Sequence, residues 1–73
     1  MSEVDDPVVG KVGRVTHPIG PESTGEVVLR IRGGTETYMA ISDSVLDRNS
    51  EVLVVGQVSA RTVQVIPFTG AMS

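Results

Sequence analysis

The sequence predicts an all-β fold: a small five-stranded barrel with at most one short helical turn, placed between the third and fourth strands. Three observations lead there. Fourteen of the 73 residues are valine and twenty-one are Val, Ile or Leu, and β-branched side chains lose rotamer freedom in a helix while packing well on a pleated surface. Apolar residues recur with a period of two in short runs set apart by Gly, Pro, Asn and Ser clusters, which is the strand pattern rather than the helical one. Glycines also sit inside the first and fourth runs, where a bend lets a strand turn a barrel's corner and so remove the open edges of a flat sheet.

The first run, VVGKVGRVT at 8–16, places Val9 and Val15 on one side of the pleat and Val8 and Val12 on the other, with Gly10 and Gly13 interrupting. Two glycines three residues apart invite comparison with a phosphate-cradling loop. Such loops work through the free N–H groups of a helix that begins just beyond them. Here a strand continues into HPIGPESTG, a loop by its Pro18, Gly20, Pro21 and Gly25, and no GK[ST] sequence occurs; the glycines are read as bends. Residues 26–32 alternate cleanly, Val27, Leu29 and Ile31 against Glu26, Val28, Arg30 and Arg32. Gly33-Gly34 then suits the centre of a type I′ turn, whose two central residues both need φ > 0. The return strand, 35–42, offers Tyr38 and Ala40 on one face and Thr37, Met39 and Ile41 on the other. Ser42, Asp43 and Ser44 supply capping oxygens for one helical turn over Val45 and Leu46, which Asn49-Ser50 would end. EVLVVGQV at 51–58 is apolar on both faces, as in a strand covered from both sides, and Gly56 marks another bend. The last run, 62–68, sets Val63 and Val65 against Thr62, Gln64 and Ile66, and Pro67 ends its hydrogen bonding. Strand count and order fit an OB-fold-type barrel over residues 8–68. Residues 1–7 are expected to form a disordered acidic leader and 69–73 a disordered tail.

Composition narrows the function. One domain of this size buries only about 60% of its unfolded surface, so no second, catalytic domain fits. Cysteine is absent and there is a single histidine, which excludes disulfide frameworks and Cys/His zinc sites; no cofactor or metal is expected. The carboxylates of Glu3, Asp5 and Asp6 lack the fixed geometry that a hard cation requires, and Asp43 with Asp47 is better explained by capping and solvation than by magnesium. The longest uncharged run, 62–73, has twelve residues, against the roughly 20 of a membrane-spanning helix. The acidic start MSEVDDP has no positive n-region, so no secretory leader is expected. His17 would need a nucleophile and an orienting carboxylate to be catalytic; the serines at 23, 42, 44, 50 and 59 suit turns, none lies in a G-x-S-x-G elbow, and no enzyme activity is expected.

OB barrels often bind single strands of nucleic acid by stacking bases on aromatics along a basic groove. Lys11, Arg14, Arg30 and Arg32 can form a modest basic strip beside Tyr38, the possible interaction surface of the first two strands. Against nucleic acid stand a net charge of −3, with six Lys+Arg facing nine Asp+Glu, and only two aromatics, Tyr38 and Phe68. The plainer reading of the arginines is a solvated outer face, paired with Glu26 and Glu36 across strands. Tyr38 is expected to pack its ring at the barrel wall with the hydroxyl wet. A spacer or oligomerisation module is a further alternative.

Taken together, VVGKVGRVTHPIGPESTGEVVL, RIRGGTETYMAIS and SVLDRNSEVLVVGQVSARTVQVIPF are similar to the C-terminal soluble domain of the NfeD-like family. The resemblance rests on a G-x-x-G first strand (Gly10, Gly13), a proline-glycine loop leading into a hydrophobic strand (Pro18, Gly25, Val27), and a glycine turn followed by an aromatic and an alanine (Gly33, Gly34, Tyr38, Ala40). It continues in a V-x-V-V strand and a closing V-x-V-x-P (Val52, Val54, Val55, Val63, Val65, Pro67). This chain departs from the pattern before the fourth strand, where Asn49-Ser50 replaces a common glycine, and in a longer loop after Pro18. The resemblance implies an OB domain of membrane proteins associated with stomatin-, prohibitin- or flotillin-like scaffolds. It further implies a non-catalytic protein-interaction role on the cytoplasmic side of a membrane, as a domain detached from its membrane helices or as a short relative that reaches the membrane through others.

Overall fold

The computed structural model describes residues 8–31 and 33–68; the expected leader, the expected tail and Arg32 lie outside the described residues. Five strands, β1 (Val12–His17), β2 (Gly25–Ile31), β3 (Gly34–Ile41), β4 (Glu51–Ser59) and β5 (Thr62–Pro67), form a closed barrel in the order β1-β2-β3-β5-β4. Three hairpin-type antiparallel pairs, β1–β2, β2–β3 and β4–β5, are joined by two long-range seams. One seam is the parallel pair β3–β5, through Ala40 and Val63; the other is the antiparallel pair β1–β4, through Gly13 and Val52. This is an OB-type barrel.

The inward side chains follow the alternation. Val15, Val27, Leu29, Ala40, Val52, Val54, Val63 and Val65 are essentially sealed from solvent, and Val8, Ile19, Tyr38 and Leu46 plug the ends. Two glycines make the closure possible. A Cβ on Gly25 would overlap the carbonyl oxygens of His17 and Pro18 and the side chain of Ile19, because the chain leaving β1 crosses directly over β2 there. A Cβ on Gly13 would overlap Leu29 Cδ2 and come within 2.8 Å of the Val28 carbonyl oxygen.

Four expectations need correction. The first strand begins at Val12, not at residue 8: Gly10 takes φ 96° and the Lys11 N–H closes a turn onto Val8 O at 3.1 Å. That turn shifts the period, so Val8 is buried whereas Val9 is exposed. The β2–β3 turn is also one residue earlier than the glycine pair suggests. Ile31 pairs with Gly34, so Gly34 is an ordinary strand residue, and the positive φ, 81°, falls on Gly33. β4 is covered on one face only, with Val52 and Val54 buried but Val55 and Val58 41% and 59% exposed. The barrel is a single closed layer, so its outer face has no second layer over it among the described residues, and past Leu53 β4 also leaves β1 behind. Finally, no helical turn forms over Val45 and Leu46. The Ser42 hydroxyl accepts the Ser44 N–H at 3.1 Å in a local turn, and Leu46 instead exchanges both backbone hydrogen bonds with Ile19, at 2.8 and 2.9 Å.

Asn49 occupies the left-handed region at φ 76° while its N–H donates to Val15 O at 2.8 Å. Asparagine tolerates this conformation and glycine is free there. Asn49→Gly is therefore expected to leave stability unchanged or raise it slightly, whereas Asn49→Val lowers it by about 1–2 kcal/mol; urea unfolding midpoints compare the two.

Candidate functional site

Outside the barrel, cross-strand register sets side chains into rows. Arg14 lies opposite Val28 on β2 and opposite Glu51 on β4. One step along, Val12 lies opposite Leu53, and Leu53 opposite Ile66; carrying the Gly13↔Leu29 register one step further sets Arg30, which pairs with Thr35, beside Val12. The result is a checkerboard, Arg14 and Arg30 on one diagonal and Val12 and Val28 on the other. It borders an open groove of about 400 Å³, floored by Gly13 and Leu29 and edged by Thr35 and Glu51. Gly13 and Leu29 face inward, so the floor is strand backbone and the low walls are the outward side chains of their neighbours.

The proposed basic strip thus divides. Arg14 and Arg30 share this groove, both exposed. Lys11 sits half-buried in the turn before β1, its carbonyl accepting the Val54 N–H at 2.9 Å. Arg32 lies outside the described residues. Tyr38 is on the opposite face of the sheet, across from Val27 in the core and only 8% exposed, so it shares no surface with Arg30. The ring lies in the core and the Arg61 guanidinium is stacked over it, 5.0 Å from the centroid. Arg61 also donates to Thr37 O at 2.9 Å and meets Glu36 at 3.5 Å. The sequence gives no periodic signal for Arg61, which stands in the two-residue β4–β5 turn.

Among the described residues, Glu26 and Glu36, the expected cross-strand partners of the arginines, meet His17 and Arg61. Glu26 meets His17 Nδ1 at 2.5 Å and accepts from the Thr16 hydroxyl, which also reaches the Glu26 carbonyl at 3.2 Å. This exposed clip holds the register shift between Val15 and His17. The imidazole therefore has an orienting carboxylate. A second recess, about 470 Å³, lies between the loop Pro18–Ser23 and Val45, which is 75% exposed. Gly20 and Ser23 stiffen that loop with reciprocal backbone hydrogen bonds of 3.0 and 3.1 Å. Asp43 and Asp47 are both exposed, without the shared helical face. Among the described residues, no three His, Asp or Glu side chains converge in a way that could hold a metal ion, and no helix is long and apolar enough to cross a membrane.

The wall presents two permanent cations, aliphatic ground between them, and hydroxyl and carboxylate groups at the margin. No curated protein sequence matches the chain. The solution structure of the soluble domain of the NfeD protein YuaF from Bacillus subtilis is similar, with a TM-score of 0.70 and 30% identity over 80% of this chain and 70% of that one. The C-terminal domain of stomatin operon partner protein 1510-C from Pyrococcus horikoshii shares the fold, with a TM-score of 0.64 and 22% identity over 84% of this chain and 88% of that one. Residues 12–66 match the family profile of the NfeD C-terminal domain, which spans all five strands and both seams of the barrel, and the chain therefore belongs to the NfeD C-terminal domain family.

Proposed function

We propose that this barrel is a non-catalytic docking domain of a membrane-associated NfeD-type protein, on the cytoplasmic side, and that it engages a stomatin- or flotillin-like scaffold protein. The observation that carries the reading is the outer wall, where Arg14 and Arg30 alternate with Val12 and Val28 around a shallow open groove. Fixed cations among exposed aliphatics give orientation and buried area together, as protein contacts require. Membership of the family, and a fold shared with a protein described as a stomatin operon partner, support the choice of scaffold. Titrating the isotope-labelled chain with a stomatin-like scaffold should shift one contiguous set of barrel amides. Saturating scaffold that shifts none would end the reading.

One observation favours an oligomerisation module as a second reading. Val55 and Val58 are exposed where β4 outruns β1, and an exposed apolar strand edge is a template for pairing. Sedimentation that depends on concentration, and that Val58→Lys abolishes, would support it; a monomer at all concentrations would not.

A further inference from the structure

We infer that the groove across β1 and β2 binds an extended, acidic peptide segment of a partner, aliphatic at one end and carrying two carboxylates at the other; this rests on the docking reading above. The argument starts from the rows on the barrel wall. Ile66, Leu53 and Val12 stand side by side on three neighbouring strands, followed on the fourth by Arg30 and on the fifth by Thr35. Val12 and Ile66 are 41% and 42% exposed. One half of this row is aliphatic and the other is cationic, with Arg14 one diagonal step from Arg30.

Spacing sets the shape of the occupant. Neighbouring strands lie about 4.8 Å apart, so the row from Ile66, beyond the groove, to Thr35 measures about 19 Å along the curved barrel wall. That is the length of roughly six or seven extended residues at about 3.3 Å each that bend with it. Arg14 and Arg30 are diagonal neighbours, about 7–8 Å apart at the backbone. Carboxylates two residues apart on an extended peptide are separated by about 6.6 Å and would meet both. Guanidinium groups take carboxylates through paired N–H donors in a fixed plane, and Thr35 adds a hydroxyl at the end of the row.

Charge complementarity selects an acidic partner over the alternatives. The chain as a whole carries −3, so two arginines in one groove are a local feature and not part of a general basic field. Glu51, opposite Arg14, lies at the aliphatic side of the cationic pair and repels an anion placed on the wrong half, which fixes the direction of the peptide. A single strand of nucleic acid needs aromatic platforms along the groove, and Tyr38 faces the core instead.

The test uses the full 73-residue chain, isotope-labelled, and the capped peptide Leu-Ser-Leu-Ser-Glu-Ser-Glu. The expected result is a set of shifts centred on Val12, Arg14, Val28 and Arg30 that shrinks as salt is raised. Two controls accompany it: the same peptide with lysine for glutamate gives no such shifts, and Arg14→Glu with Arg30→Glu weakens binding about tenfold or more while the remaining amide resonances keep their positions. Shifts located elsewhere, equal binding of the lysine peptide, an unchanged affinity in the double variant, or a preference for an oligothymidine over the acidic peptide would each overturn the inference. The two readings fail separately. A scaffold protein that binds the double variant as tightly as the parent removes this site and leaves the docking role. An acidic peptide that shifts the groove, while the scaffold shifts nothing, does the reverse.

Discussion

Gly25→Ala is expected to lower stability by about 3 kcal/mol, a shift of roughly 15 °C in the midpoint of thermal unfolding for a domain of this size. Gly25 is buried, and the added methyl would overlap two backbone carbonyl oxygens, of His17 and Pro18, along with the Ile19 side chain. A side chain can rotate away, but a carbonyl cannot move without its peptide plane. The crossing strand here is pinned on both sides, by the register of β1 on β2 and by the double hydrogen bond between Ile19 and Leu46. Relief would require opening one of them. Overpacking of a well-ordered core costs about 1–3 kcal/mol where side chains yield, so a clash with backbone belongs at or above the top of that range. Thermal and urea unfolding would read it. A variant as stable as the parent would mean that the chain does not cross over β2 at this point.

The second large effect is at Leu29. It is fully buried, and Leu29→Ala is expected to cost about 3 kcal/mol, from lost transfer energy together with the cavity left behind. Its neighbour Gly13 sharpens the test. Alanine at 13 would overlap Leu29 Cδ2 and crowd the Val28 carbonyl oxygen at 2.8 Å, which predicts a loss of about 2 kcal/mol. In the double variant the side-chain overlap disappears and the carbonyl contact remains. The two losses should therefore fall short of additivity by about 1 kcal/mol, as contacting residues do. Simple additivity would separate the two residues and contradict the β1–β2 register on which the groove is built.

How much of this was legible beforehand depended on periodicity. β2 reads correctly from sequence because buried Val27 and Leu29 alternate without interruption with half-buried Glu26 and Val28 and exposed Arg30, and the same alternation holds for Tyr38 with Ala40 and for Val63 with Val65. The start of β1 was misread because Gly10 at φ 96° breaks the period, and a positive φ leaves no mark on hydrophobic spacing. In β4 the apolar doubling of Val54 and Val55 reads as two-sided cover, whereas the outer face is simply left exposed; periodicity does not show whether a second layer lies over the barrel wall. The supposed helical turn after Ser42 lost to a tertiary contact, the bridge from Leu46 to Ile19, between residues 27 positions apart. Asn49 adopts φ 76°, a conformation open to glycine, so a glycine expected at 49–50 from the resemblance is compatible with this backbone.

The candidate site divides along the same line. Arg14 and Arg30 could be assigned to outer faces from alternation alone. Their meeting in one groove depends on the pairing Gly13↔Leu29, which is a matter of register. The grouping of Arg30 with Tyr38 failed for the related reason that parity alone does not assign faces across two strands: the register pairs odd with even numbers, Val27 with Tyr38 and Arg30 with Thr35, so these two even-numbered residues lie on opposite faces. Arg61 was silent because a turn residue has no period, although it covers the Tyr38 ring and ties the β4–β5 turn to β3.

The most direct measurement is a backbone NMR map of the two seams. The closed barrel predicts interstrand contacts across the parallel pair at Ala40 and Val63, and across the antiparallel pair at Gly13 and Val52, with slowed amide exchange on both sides of each seam. Contacts confined to the sequential hairpins, with fast exchange along β3 and β1 where the seams should lie, would mean an open meander, and neither the barrel nor the groove on its wall would survive that result.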